Sequence, residues 1–230
     1  MTAGFDAGGL RLLASGRDAD VFDRGDGTVL RRYRERPASF STEAEARIMI
    51  HAATAGFPVP EVIEASGSDL VLSLVDGPTL LDAVLAAPHK LTWAGRMLGN
   101  LHRQLHEIDA PPGLSEPLGG GRSLLHLDLH PGNVLLSDYG PIVIDWTNAA
   151  SGPGAADVAY TWVLIATGVP DGSFMARAMA GVGRGVLGRS FLNEVGKAEA
   201  RGHLQAAARL RLADPNLRPV ERRKVERLAR

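Results

Sequence analysis

The chain has 230 residues, of which 45% are hydrophobic, and its formal net charge is −1 at pH 7. This length is enough for two lobes that share one cleft, and the balanced charge gives no general preference for nucleic acid or membrane surfaces. The absence of cysteine excludes a disulfide scaffold, a thiol nucleophile and cysteine-ligated zinc or iron–sulfur sites.

Residues 1–6 lack the basic segment and apolar core of a signal peptide, and the apolar stretch at 159–166 is too short to span a bilayer. These features predict a cytoplasmic protein. From residue 171 onward there are thirteen Lys and Arg against six Asp and Glu. We interpret this basic part as solvated helix faces, because no aromatic residue lies among its last cations, and we expect no nucleic-acid partner. The oligomeric state is not predicted.

The first third of the chain alternates short apolar segments with turns. The pattern predicts five strands, at 10–14, 21–22, 28–33, 61–65 and 70–74. One helix interrupts them, capped by Ser41 or Thr42 and stopped by Gly56 and Pro58. We place a hinge at 73–77, which predicts an N-terminal lobe of residues 1–76 and a C-terminal lobe of 77–230.

The second lobe is predicted to be mostly helical. After a helix capped by Thr79, apolar residues at helical spacing predict a helix at 91–108, which ends before Pro111 and Pro112. A loop follows. Further helices are predicted at 157–166, 174–186, 191–213 and 219–228.

A polar run at 126–133 precedes two apolar segments, 134–136 and 142–144. Pro131 and Gly132 force a turn, and the apolar segments predict a hairpin that brings Asp145 close to Asn133. Phosphoryl transfer requires a base that orients a hydroxyl group and hard oxygen ligands for magnesium. Asp128 as the base, with Asn133 and Asp145 as metal ligands, fits these requirements.

This stretch resembles the aminoglycoside phosphotransferase group of small-molecule kinases, whose loop has the pattern H-x-D-x-x-x-x-N followed by I-D-W. The resemblance implies an α+β, protein-kinase-like bilobal fold, with a five-stranded antiparallel sheet and one helix in the first lobe. It also implies ATP, or another nucleoside triphosphate, and Mg²⁺ as cofactors. The acceptor would be a hydroxyl group of a small molecule.

The resemblance places a phosphate-covering loop between the first two strands. It implies nucleotide contacts at Ser15, Gly16 and Val21. Only one glycine is present where the protein-kinase loop has three, and Asp18 and Asp20 would repel phosphate unless they point away. An ordinary β-turn is the alternative interpretation.

Arg31 occupies the position of the family's phosphate-contacting lysine, on the third strand. The neighbouring Arg32 leaves the register open, and an exposed strand cation is the alternative. The expected acidic partner is Glu45, which we prefer to Glu43. A solvent-facing helix glutamate is the alternative for Glu45.

Other assignments also follow from the resemblance. The backbone of Ser73 and Val75 would bind the adenine edge, while His126 and Asp157 would support the catalytic loop. Leu127 replaces a glycine common in relatives. His130 is either a weak phosphate contact or a loop-packing residue.

Two competing sites are not favoured. His102 and His106 lie one helical turn apart, but Arg103 replaces the glutamate of a zinc-binding H-E-x-x-H motif. The glycine run at 119–121 lacks the Lys-Ser/Thr ending of a phosphate loop and opens no helix. We therefore expect neither zinc nor a second phosphate loop.

The sequence thus predicts an ATP- and magnesium-dependent kinase that acts on a hydroxylated antibiotic, sugar, amino alcohol or related metabolite. Because the C-terminal part is basic, a typical polycationic aminoglycoside is not the favoured acceptor. The alternative is a nucleotide-binding pseudokinase with a regulatory role, for which the reduced glycine loop and Arg31 argue.

Overall fold

The structure, a computed structural model, describes residues 9–16, 18–34, 41–168 and 174–230, and their side chains except those of 174–180. It divides into two units. The first contains the described residues up to Gly77 together with Leu135–Thr147, and the second contains Pro78–Val134 and Asn148–Arg230. The lobe boundary predicted after residue 76 differs from this division at 135–147, which packs with the first unit.

The first unit is built on one antiparallel sheet with five strands. They are β1 (Arg11–Ser15), β2 (Ala19–Asp23), β3 (Thr28–Tyr33), β4 (Val62–Ser66) and β5 (Asp69–Ser73). Their order in the sheet is β1-β2-β3-β5-β4, so β3 and β5 lie at its centre. The central strands contribute the buried side chains of Leu30, Leu70 and Val71. This confirms the five-stranded antiparallel sheet predicted from the sequence.

Helix α1 (Thr42–Thr54) follows β3 in the chain. It begins where the Ser41 hydroxyl oxygen accepts a hydrogen bond from Ala44 N, which satisfies one of the free N–H groups of the first turn. Its buried residues include Glu45, Met49 and Ala52, which share one helix face. A carboxylate on a largely apolar, buried face needs partners within the fold.

The second unit is mostly helical, as predicted. Its helices are α2 (Leu80–Ala86), α3 (Leu91–His106), α4 (Gly154–Thr167), α5 (Phe174–Val195), α6 (Lys197–Leu212) and α7 (Pro219–Leu228). Helices α3 and α5 approach closely at two glycines of α3. A Cβ atom on Gly95 would lie 2.6 Å from the Leu187 carbonyl oxygen, and one on Gly99 would lie 2.5 Å from Glu194 Cβ.

The boundary between α5 and α6 corrects the sequence-based prediction. The predicted break between residues 186 and 191 is wrong, because α5 continues through it and ends at Val195. Leu187 and Phe191 are buried one helical turn apart, so the helix continues through Gly188 to place both in the core. Gly196, at φ +89°, separates the two helices instead.

Four short strands complete the described fold. Strands β6 (Ser123–Leu125) and β9 (Ala150–Gly152), which the sequence did not predict, pair with each other. Strands β7 (Val134–Ser137) and β8 (Gly140–Val143) form the predicted hairpin after the 126–133 run. Within the described part of the chain, no helix is long and apolar enough to cross a membrane.

Candidate active site

The polar run at 126–133 forms a loop in which Asn133 is fixed to Asp128. The Asn133 Nδ2 atom donates to the Asp128 backbone oxygen at 2.9 Å and to Asp128 Oδ2 at 3.1 Å. Residues Pro131–Asn133 make a single 3₁₀ turn, which brings the two side chains together across four intervening residues. Because the Nδ2 side of the amide faces Asp128, its oxygen faces away from that carboxylate.

His130 helps to form this turn. Its Nδ1 accepts a hydrogen bond from Gly132 N at 3.0 Å, and its Nε2 lies 3.8 Å from Asp128 Oδ1. The first contact supports the loop-packing interpretation of His130. The second places an imidazole near the predicted base.

Asp157, at the first turn of α4, holds the backbone just before Asp128. Its Oδ1 accepts from Leu127 N at 2.9 Å, and its Oδ2 accepts from His126 N at 3.2 Å. His106 Nε2 lies 3.0 Å from the same Oδ2. Burial alone would raise the pKa of Asp157, but the His106 hydrogen bond and nearby histidines hold it well below its ordinary value. The loop is thus anchored by a buried carboxylate.

Leu127 and Asp145 have left-handed backbone conformations, at φ +54° and +66°. This region is costly for residues with a Cβ atom, by about 1–2 kcal/mol. Leu127 is nevertheless buried, and Asp157 fixes its N–H group. The position where relatives commonly have glycine therefore retains the backbone conformation that glycine would favour.

A second buried contact lies beneath the loop. The Thr161 hydroxyl of α4 donates to the Leu129 backbone oxygen at 3.0 Å, and His102 Nε2 lies 3.0 Å from the same hydroxyl oxygen. Burial lowers the pKa of His102 to about 4. His102 and His106 therefore pack and position the loop. Among the described residues, no group of three or more His, Asp or Glu side chains forms a metal cage.

In the first unit, Arg31 is in contact with two carboxylates. Its Nη1 donates to Glu45 Oε1 at 3.0 Å, and its Nη2 lies 2.6 Å from Asp145 Oδ1. Burial alone would lower the pKa of Arg31, but Asp145 and Glu45 raise it above its ordinary value. Arg32 points elsewhere and makes two hydrogen bonds of 2.7 Å with Asp69. Of the two arginines, Arg31 is the one beside the predicted metal ligand.

Glu45 is the centre of this cluster. In addition to Arg31, it accepts hydrogen bonds from the Tyr33 hydroxyl and, at 3.2 Å, from Trp146 N. Glu43, the alternative partner, instead accepts from Ser41 and Gly67. Glu45 therefore connects β3, α1 and the backbone next to Asp145.

Tyr33 and Thr147 complete the cluster, and the sequence analysis missed both. The Thr147 hydroxyl donates to Asp145 Oδ1 at 2.6 Å, and Thr147 is among the groups that affect the pKa of Tyr33. The Arg31 guanidinium carbon lies 4.8 Å from the centre of the Tyr33 ring. Strand alternation places Tyr33 on the same face as Arg31, a signal that would have identified it. No comparable local pattern identifies Thr147.

The turn between β1 and β2 is closed by side chains of its flanking strands and by Arg34, which follows β3. Ser15 Oγ donates to Asp20 Oδ1 at 2.7 Å, and Arg34 donates to both Ser15 Oγ and the Gly16 oxygen. Gly16 N also donates to the Ala19 oxygen. These contacts fit the β-turn interpretation at least as well as a phosphate-covering loop.

The remaining predicted nucleotide contacts lie on the sheet. Val21 is directly opposite Arg31 in the β2–β3 pairing. The Ser73 N–H group donates to the Glu61 oxygen at 2.9 Å, so an adenine contact by Ser73 would use its carbonyl oxygen. Val75 lies two residues beyond the end of β5.

The protein-kinase-like fold and the polar loop at 126–133 are features of the phosphotransferase class of proteins. The chain belongs to the phosphotransferase enzyme family (APH), whose profile matches residues 9–120 and 114–195. It is also 27% identical over 149 residues to a probable bifunctional tRNA threonylcarbamoyladenosine biosynthesis protein of Methanoculleus marisnigri. That alignment covers 60% of this chain and 24% of the relative, so the chain spans about a quarter of that protein's length.

Solved structures share the fold. The streptomycin–ATP ternary complex of APH(2'')-IIa gives a TM-score of 0.63 at 13% identity, covering 91% of this chain and 89% of that chain. A choline/ethanolamine kinase family protein from Mesorhizobium loti gives a TM-score of 0.56 at 16% identity, covering 96% of this chain and 88% of that chain. These similarities confirm the α+β, protein-kinase-like fold predicted from the sequence.

Proposed function

We propose that the protein transfers the γ-phosphate of ATP to a hydroxyl group of a small molecule, with magnesium as cofactor. The observation that carries this proposal is the pairing of Asp128 with Asn133 in a loop anchored by Asp157. A binding protein has no need for a base held against an amide in this way. Membership of the phosphotransferase family supports the same reaction.

Asp128 is the proposed base. Its carboxylate would accept the proton of the acceptor hydroxyl as the hydroxyl oxygen attacks the γ-phosphorus, and the bond to the β-phosphate oxygen would break to release ADP. The Asn133 hydrogen bonds fix the orientation of the carboxylate. The base is thus positioned before the acceptor arrives, which lowers the entropic cost of reaching the transition state.

The donor atoms present fit a magnesium ion. Magnesium prefers oxygen ligands and is usually held by one or two protein groups together with substrate phosphates and water. Asn133 would provide its amide oxygen, and Asp145 its carboxylate. When bound, the ion would neutralise charge on the β- and γ-phosphates.

Arg31 is the proposed phosphate contact. Its guanidinium is charged and held by Glu45, and its pairing with Asp145 places it beside a proposed metal ligand. Arginine recognises phosphate through a fork of N–H donors, so the substitution for the family's lysine preserves this role. Ser15, Gly16, Val21, Ser73 and Val75 remain proposed nucleotide contacts.

The acceptor is proposed as a hydroxylated antibiotic, sugar, amino alcohol or related metabolite. Two of the similar structures, a streptomycin complex and a choline/ethanolamine kinase family protein, fall within this range. In the second unit, burial raises the pKa of Tyr160. The charge of Arg211 acts to lower this pKa, and the charge of Asp128 acts to raise it. Arg211 is paired with Asp214 at 2.9 Å. The thirteen Lys and Arg against six Asp and Glu from residue 171 onward also differ from the acidic surroundings that a polycation would favour.

The test is magnesium-dependent release of ADP from ATP across a panel of hydroxylated antibiotics, sugars and amino alcohols. Asp128→Asn keeps the shape of the side chain but removes the base, so we expect turnover to fall about 10²- to 10⁴-fold while ATP still binds. Equal turnover by the variant and the wild type would exclude Asp128 as the base.

A pseudokinase is the second candidate, and the Arg31–Asp145 ion pair favours it because the proposed metal ligand is already engaged. This alternative predicts magnesium-independent ATP binding without ADP release for any acceptor. Calorimetry of ATP binding with and without magnesium, performed with the same panel, separates the two functions.

A further inference from the structure

A cavity of about 400 Å³ lies in the second unit, between α4 and α5. Trp162 and Ile165 of α4 form one wall, and Leu192 of α5 contributes a further apolar surface. A volume of this size is in the range of small-molecule pockets.

Glycines account for the space on the α5 side. Gly181, Gly185 and Gly188 follow one another at intervals of four and three residues, so they lie on one face of the helix. A Cβ atom on Gly185 would have no neighbour within 4 Å, and one on Gly188 would touch Ile165 at 3.4 Å. The missing side chains leave room between the two helices.

Three cations line the same cavity: Arg184, Arg189 and Lys197. The Lys197 ammonium lies 5.9 Å from the centre of the Trp162 ring, within cation–π distance. No Asp or Glu is among the described residues that line the cavity. Arg184 also contributes to a lowered pKa of Lys224, after the larger effect of burial. The described lining therefore combines three cations with an aromatic wall.

This cavity is distinct from the candidate active site. Asp157 and Thr161 of α4 contact the catalytic loop. Because successive residues are rotated by about 100°, Trp162 and Ala166 lie roughly 120° and 160° around the helix from the mean direction of Asp157 and Thr161, and Ile165 lies between the two directions. The residues of α4 that contact the loop at 126–133 are thus different from those that line the cavity.

We propose that the α4–α5 cavity is a second binding site, for a small organic anion that has a phosphate or carboxylate group on a flat apolar body. Arg184, Arg189 and Lys197 would bind the anionic group. The Trp162 ring and Ile165 would pack against the apolar body. The proposal does not depend on the phosphotransferase reaction.

The test uses ¹⁹F NMR of the full chain labelled with 5-fluorotryptophan. The chain has 3 tryptophans, Trp93, Trp146 and Trp162, so Trp93→Phe and Trp162→Phe assign the three resonances. ATP is left out, because it also carries phosphate on a flat ring and could bind in the cavity; binding of a probe at the candidate active site would instead shift the resonance of Trp146, whose backbone N–H donates to Glu45. Phenyl phosphate and benzoate are the anionic probes, and phenol is the neutral control.

We expect either anion to shift the Trp162 resonance saturably, with no shift from phenol. The double variant Arg184→Gln/Arg189→Gln should weaken binding about tenfold or more, because charged hydrogen bonds are lost. Lys197→Gln, a change at an exposed position, should weaken it in the same direction. The matched control Arg201→Gln/Arg209→Gln removes two exposed arginines of α6 and should leave binding unchanged.

Three results would overturn the proposal. They are a Trp162 resonance that neither anion moves, an equal shift with phenol, and an equal loss of binding in the α6 control variant. The dispersion of the three fluorine resonances shows in each variant whether the protein is folded.

Discussion

Arg31 Nη2 lies 2.6 Å from Asp145 Oδ1, so the proposed phosphate contact and a proposed metal ligand are paired with each other. The same guanidinium is held by Glu45 through its other terminal nitrogen, at 3.0 Å. Binding of a magnesium–nucleotide complex would have to redistribute these charges. Arg31 would turn toward phosphate, and Asp145 toward the metal. Glu45 would then be the carboxylate that remains paired with Arg31.

Glu45→Gln tests that role. Loss of the carboxylate charge leaves Arg31 with Asp145 as its remaining anionic partner, so we expect the apparent affinity for magnesium–ATP to fall about tenfold. Glu43→Gln, in the same helical turn, is the matched control and should have little effect. Calorimetric titration with magnesium–ATP provides the measurement. Equal affinities for the two variants would contradict the role of Glu45.

Thr147 positions Asp145, because its hydroxyl donates to Asp145 Oδ1 at 2.6 Å. Groups that orient a metal ligand typically change metal affinity about 10- to 100-fold when they are removed. We therefore expect Thr147→Val to raise the magnesium concentration required for ATP binding and ADP release by that factor. Thr147→Ser restores the hydroxyl and should behave like the wild type.

Thr54→Val is the control for loss of a threonine hydroxyl, since Thr54 Oγ1 donates only within its own helix, to Ile50 O at 2.8 Å. If Thr147→Val retained the wild-type magnesium dependence, the hydroxyl would have no positioning role. Because the measurement includes ATP binding, it does not depend on identification of the acceptor.

Local chemistry made much of the fold predictable. Turn residues and β-branched segments lie within a few positions of each other in the sequence. These local patterns correctly predicted the five strands and the β7–β8 hairpin. The pairing of Arg31 with Glu45 came from the family resemblance, and the structure places the two in contact. Strand alternation from Arg31 would also have pointed to Tyr33.

Other features depend on contacts between distant parts of the chain. The left-handed conformation of Leu127 accompanies hydrogen bonds to Asp157, thirty residues later. Thr147, in the turn after β8, acquires its role from its hydrogen bond to Asp145, whose other partner is Arg31 on β3. The helix break at Gly196 was placed too early because burial of Leu187 and Phe191 extends α5. No local pattern contains these tertiary contacts.

Substitution of Gly77, in the predicted hinge, tests how closely that segment packs against the β7–β8 hairpin. It has φ +140°, and a Cβ atom there would lie 2.0 Å from the Leu136 backbone oxygen. We expect Gly77→Ala to lower the free energy of unfolding by more than about 2 kcal/mol, because backbone strain and steric overlap add together.

Gly113→Ala is the matched control, because Gly113 has φ +90° and open space around it. It should cost only the conformational strain, about 1 kcal/mol. Urea denaturation of both variants provides the comparison. Equal losses of stability would show that the backbone near Leu136 moves to accommodate the added methyl group without a further loss in the free energy of unfolding.

We expect the stability of the folded protein to depend on pH because His102 is buried. Burial lowers its pKa from 6.5 to about 4. Between these values the unfolded chain binds a proton that the folded protein does not, so stability is complete above pH 6.5 and falls as the pH decreases toward 4. The difference corresponds to about 3 kcal/mol. The lowered pKa of Asp157 acts in a separate range, below its ordinary value of 3.8.

His102→Gln removes this titration, so the variant should lose less stability than the wild type between pH 6.5 and 4, although it should be less stable at pH 8. His89→Gln removes an exposed histidine and should retain the wild-type pH dependence. Urea denaturation at a series of pH values measures both slopes. A slope in His102→Gln as steep as in the wild type would assign the acid sensitivity to another group. A flatter slope would show that the neutral His102 ring beneath the catalytic loop contributes to the stability of the fold.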